Sequence, residues 1–256
     1  MPTYILWLMI NRKFLVPFCL AMSYISGFGQ QNGRTFIENL EKQTYTSLAE
    51  KLEGDLPAAM EKAYSEAYLR KAKKEENRVE LLHAYKLKLY VEDKSKRLAY
   101  ADSMVTAAKH SGKNDLIGAA YLTRGIVYND EQNLTKALDN YLIADSYLSN
   151  SSDDYLRHKA QYNIAQIKYY LGYYSEAAKL FTENLTYFEN EDLPYLTSLH
   201  SLALCYTRLG KFDLGTATNY RGIQEASDRE YHNAIPRFIN AEGINQYFKK
   251  KIIEKV

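Results

Sequence analysis

Asn163-Ile164-Ala165-Gln166-Ile167-Lys168-Tyr169-Tyr170-Leu171-Gly172-Tyr173-Tyr174 is matched, 38 residues on, by Ser201-Leu202-Ala203-Leu204-Cys205-Tyr206-Thr207-Arg208-Leu209-Gly210-Lys211-Phe212. Small residues at Gly125, Ala165, Ala203 and Gly243 extend the pattern at steps of 40, 38 and 40. Self-similarity at such a period is the mark of a stacked repeat, and it outranks any local motif.

Within each unit the residues read as a helix hairpin. The small residue lets a second helix approach closely, and an aromatic nearby, Tyr128 after Gly125 or Tyr206 after Ala203, fills the space beside it. Twelve residues beyond the small position come Ala137, Ala177 and Gly215, and Tyr141 and Phe181 follow one turn later on the same helical face. Gly172 and Gly210 fall between the helices, where a left-handed cap turns the chain.

These residues resemble the tetratricopeptide repeat family: the small residue of the first helix, the Leu171-Gly172 and Leu209-Gly210 turns followed by Tyr174 and Phe212, and the Ala and aromatic of the second helix. The resemblance is clearest over residues 115–246. Three residues depart from it: Arg124 replaces an aliphatic, Lys168 an aromatic, and Asn219 the packing aromatic of the fourth unit, which predicts a looser fourth unit.

Weaker stripes at Met60-Ala63-Ala67 and Leu98-Ala101-Val105-Ala108 read as second helices of earlier hairpins. Asp55 before Pro57 and Asp192 before Pro194 read as helix N-caps with proline in the first turn. The expectation is an all-α solenoid over residues 34–256, of about five stacked hairpins and a partial sixth. The resemblance implies a right-handed superhelix whose first helices line a concave face. From Gly243, the sixth unit's first helix should run from Ala241 to about Lys251, its second beginning near Ile253. Ile244, Tyr247, Phe248, Ile252 and Ile253 would lie open, so the expectation is either that the chain is the N-terminal portion of a longer protein or that a second molecule covers this end by self-association.

The first 29 residues read as a signal peptide. Asn11-Arg12-Lys13 precede an apolar run from Phe14 to Ile25, then Gly27-Phe28-Gly29, with cleavage near Gly29/Gln30. The apolar run is short for a bilayer span, which takes about 20 residues. An uncleaved anchor and a buried N-terminal helix are the alternatives, and Met9 can serve as the start in place of Met1. Val16-Pro17-Phe18 before Cys19 do not form a lipoprotein box, and Cys205 is then the one cysteine left. The localisation so implied is the periplasm of a Gram-negative bacterium.

Composition narrows the function further. With 46% apolar and 25% charged residues the chain is a folded, water-compatible protein. Without the signal, 31 bases balance 31 acids, and the basic footprint of a nucleic-acid binder is missing. His83, His110, His158, His200 and His232 show no metal-ligand spacing, and no nucleophile elbow, phosphate loop or dinucleotide fingerprint occurs. The sequence therefore supports no catalytic, cofactor or metal site. What remains is surface: Tyr162, Gln166, Tyr169, Tyr170, His200, Thr207, Asn240 and Tyr247 are expected on the first-helix face, suited to a protein or peptide ligand. The lysine and asparagine set with which some family members grip a C-terminal carboxylate is not evident. The function expected is an exported, non-catalytic interaction scaffold. The alternative is the ligand-sensing N-terminal part of a membrane-bound signalling protein, either a histidine kinase or a helix-turn-helix regulator, whose periplasmic architecture this chain resembles.

Overall fold

A computed structural model describes residues 30–151 and 154–254; the segment read as a signal peptide lies outside them. Among the described residues there are twelve α-helices, two short 3-10 turns and no strand, and no helix is long and apolar enough to cross a membrane. The chain divides into two compact units between Glu75 and Glu76.

The first unit holds α1 (Gln30–Leu40), α2 (Tyr45–Glu53) and α3 (Ala58–Lys74). Thr44 caps α2 by accepting the Ser47 N–H at 3.1 Å. Both α1 and α2 pack on α3, burying Leu40, Leu48, Ala67 and Tyr68. The Tyr45 ring lies 5.0 Å from that of Tyr68, and its hydroxyl donates to Glu75 Oε2 at 2.8 Å. Two expectations are corrected here. A third helix, α1, joins what was read as a simple hairpin, and α3 starts behind Pro57, with no side-chain cap from Asp55.

The second unit runs α4 (Arg78–Val91), α5 (Arg97–Ser111), α6 (Asn114–Asp130), α7 (Leu134–Leu148), α8 (Asp154–Tyr170), α9 (Tyr174–Tyr187), α10 (Asp192–Arg208), α11 (Phe212–Asp228) and α12 (Ile235–Ile253), each packed on the next. This is the α-solenoid pattern: four hairpins, each of a first helix and a second helix, followed by α12. The turns inside three hairpins share one device. Gln132, Gly172 and Gly210 are left-handed, at φ of 62°, 87° and 71°. The next N–H reaches back over the turn, from Asn133 to Tyr128, Tyr173 to Lys168 and Lys211 to Tyr206, at 2.8–2.9 Å. That backbone bond satisfies a carbonyl the helix end would otherwise leave bare.

Close approach explains the small residues. A Cβ on Gly125 would sit 2.5 Å from the Tyr141 ring, so the glycine is what admits the aromatic. Ala165, Ala177 and Ala203 are likewise fully buried, as are Tyr141 and Phe181.

The fourth hairpin solves the missing aromatic differently, and the expected looseness is not seen. Asn219 is fully buried and donates to Glu242 Oε2 of α12 at 2.9 Å. The aromatic comes from α12: Phe238 enters against Gly222, where a Cβ would meet its ring at 2.1 Å. Thr207, Asn245, Thr216 and Glu242 complete a buried polar seam joining α10, α11 and α12.

The register of the last unit also needs correction. Gly243 is exposed, and a Cβ there would touch nothing within 4 Å, whereas Ala241 is buried and stands 38 residues after Ala203. The anchor is therefore Ala241, and α12 begins at Ile235, six residues earlier than expected, with Pro236 in its first turn.

Candidate ligand-binding face

Tyr155, Lys159, Tyr162, Gln166 and Tyr170 follow one another on α8 at steps of 4, 3, 4 and 4, which keeps them on one side of the helix. Their equivalents on α10, 38 residues later, are Leu193, Thr197, His200, Leu204 and Arg208. These two stripes form the first-helix face of the second unit's C-terminal half.

Packing holds the stripe in place. Tyr155 meets Phe188 edge-on at 6.1 Å, and Tyr162 meets Phe181 at 5.7 Å. Gln166 donates to the Tyr162 hydroxyl at 2.7 Å and to Ser201 Oγ at 3.3 Å, tying α8 to α10. Tyr169 packs edge-on between Tyr170 and Tyr174 and serves the seam between hairpins, while Tyr170 is 63% exposed. His200 sits edge-on to Phe238 at 5.7 Å, and burial, with the nearby Arg237 cation, lowers its pKa to about 4, so the ring is neutral at physiological pH. Arg208 stands over the Phe248 ring at 5.2 Å, and a bond to the Tyr169 hydroxyl keeps its pKa above the usual value.

The other expected face residues lie elsewhere. Thr207 is buried and donates to Asn245 Oδ1 at 2.8 Å, so it builds the core seam. Asn240 and Tyr247 are exposed, but off the stripe. Both positions were counted from Gly243; moving the anchor two residues to Ala241 turns the helix by about 200° and replaces them with the buried Phe238 and Asn245. Tyr155, Lys159, Leu193 and Arg208 were missed, although applying the same 38-residue offset along the whole stripe, and not only near its small residue, would have found them.

Two clefts open on the opposite, second-helix side. One, of about 480 Å³, lies between α9 and α11 with α10 as its floor, lined by Leu185, Tyr195, Leu199, Leu202 and Leu214 with Arg221 at the rim. Its counterpart one unit earlier, about 390 Å³, is polar, lined by Asp145, Arg157, His158, Gln161 and Glu183. There the His158 ring stacks on Tyr187 at 3.9 Å and bonds Asn184 Oδ1 through Nδ1 at 3.1 Å, and burial moves the His158 pKa down. Among the described residues no three His, Cys, Asp or Glu side chains are grouped as metal ligands.

No family model matches the sequence, and no curated protein matches it. Solved structures do. BtubC (BKLC) from P. vanneervenii is 15% identical with a TM-score of 0.61, over 78% of this chain and 90% of that one. A Rap protein complexed with Competence and Sporulation Factor is 18% identical with a TM-score of 0.52, over 76% of this chain and 62% of that one. At such identities the likeness shows the fold, a tetratricopeptide-like helical repeat. Neither neighbour indicates a catalytic family.

Proposed function

We propose that this protein is an exported, non-catalytic scaffold that holds a peptide segment of a partner protein across its first helices. The observation that carries the reading is the α8 and α10 stripe, where exposed Tyr155, Tyr170 and Leu193 stand beside the fixed Gln166 amide. Tyrosine offers wide contact area with few rotors to freeze, which favours binding over a merely solvated face. A fold-level neighbour was crystallised with Competence and Sporulation Factor bound, and this supports both capture by such repeats and the sensing alternative, in which the chain reports a ligand to a downstream effector. Export rests on the basic, apolar, small-residue order of residues 11–29.

Photo-cross-linking tests the face. A benzophenone residue in place of Tyr170 should trap a partner in periplasmic extract, whereas the same residue in place of Tyr220, 63% exposed on α11, should not. Equal trapping at both positions would remove the first-helix face from the mechanism. Export is tested by the N-terminus of the chain expressed with its own leader in a Gram-negative host, which should begin near Gln30.

A further inference from the structure

The first-helix face is not electrically neutral, although the mature chain is. Lys159 of α8 extends over the Tyr155 ring at 5.8 Å, and the one charge that acts on it besides burial is another cation, Lys86 of α4; the two together depress its pKa. Arg208 on α10 is held by the Tyr169 hydroxyl and the Phe248 ring. Neither Lys159 nor Arg208 has a carboxylate partner among the described residues. Several other cations of this unit are paired: Lys88 with Glu92, Lys168 with Glu176, Arg229 with Asp192 and Glu225, Lys249 with Asp213. The stripe residues of α8 and α10 include no acid at all.

Lys159 is half-buried and held against a ring, and a partly desolvated cation gains most from an anionic partner, while Arg208 stands exposed farther along the same face. We propose that the segment held on this face is acidic, with one carboxylate side chain paired to Lys159, a second paired to Arg208, and apolar side chains between them resting on Tyr162 and Tyr170. The proposal rests on the reading of this face as the binding surface.

Geometry sets the spacing of the two acids. From Lys159 to Tyr170, the position equivalent to Arg208, is 11 residues, or about 16 Å along a helix. Neighbouring helices add roughly 10 Å sideways. The acids must then stand on the order of 15–20 Å apart, about five or six residues of extended chain. One terminal carboxylate cannot reach both ends.

The probe is a fluorescein-labelled peptide, acetylated and amidated so that it has no charged termini, carrying two Glu about five residues apart with Leu and Tyr between, against the same peptide with two Gln. Anisotropy with the full chain should show the Glu peptide binding roughly tenfold more tightly, with the advantage shrinking as salt is raised. Lys159→Gln together with Arg208→Gln should bring the Glu peptide down to the Gln peptide while the circular dichroism melt is unchanged. Equal binding of the two peptides overturns the acidic requirement and leaves the face reading intact. A Glu advantage that survives both substitutions overturns the site. If neither peptide binds, the proposal falls, and cross-linking at position 170 decides separately whether the face binds a partner.

Discussion

Gly222 and Gly243 are both helical glycines, and they should respond oppositely to a side chain. A Cβ at Gly222 runs into Phe238, so Gly222→Val should cost about 1–3 kcal/mol by forcing that ring aside. Gly243 faces open space, so Gly243→Ala should stabilise by about 0.5–1 kcal/mol through helix propensity alone. Urea titration of the two variants checks the register of α12 directly, and a loss at Gly243 would restore it as a packing position. His200 supplies a second test. Folded, it takes a proton only near pH 4; unfolded, near 6.5. The unfolded chain binds more protons between those values, so stability should fall as pH drops from about 6.5 to about 4, by on the order of 3 kcal/mol, and level off below. His200→Phe, which copies the residue found 38 positions later, should flatten that slope in urea midpoints measured across the window. An unchanged slope would assign it to other groups. At this scale the sequence was legible where a small residue must admit an aromatic, as Gly125 admits Tyr141. It misled at Gly243, because a glycine absent of any contact looks the same in a string of letters as one pressed against a ring.

Among the elements, the first and second helices of the repeats from Gly125 onward were readable because their spacing is set by contact between neighbours, which every copy must satisfy. The corresponding test is Ala177→Trp, which drives an indole into the seam between α9 and its partners and should cost about 1–3 kcal/mol. Any change at the exposed Lys179 should stay within about 0.5 kcal/mol. Comparable losses at both would contradict the packing of α9. Elements were hardest to read where the device changes hands. The turn at Gln132 uses a non-glycine left-handed residue, and the fourth hairpin takes its aromatic from α12, so the usual letters are missing while the geometry is kept. The proposed stripe suffered in the same way: Tyr162 and Gln166 were found near their small residue, Ala165, but Tyr155 and Lys159 lie ten and six residues before it.

At the scale of the whole molecule, α12 proves less apolar than α10 at equivalent positions. Arg237, Asn240 and Gly243 occupy the positions that Leu199, Leu202 and Cys205 fill on α10, while the exposed apolar residues of α12 are Ile239, Ile244, Tyr247, Ile252 and Ile253, the last three in its final turns. The self-association expected from the sequence is testable at those turns. Ile252→Lys with Ile253→Lys should abolish any rise in sedimentation coefficient with concentration, and a rise that persists would place the contact elsewhere. The insertion of Phe238 into Gly222 carries a different consequence. In a repeat array each unit answers mainly to its neighbours, and a terminal helix ordinarily frays first. Here α12 carries the ring that completes the hairpin before it, so it cannot leave without opening a void against α11. Their amides should exchange as one cooperative block, with a common opening free energy, which makes α12 a keystone of the second unit.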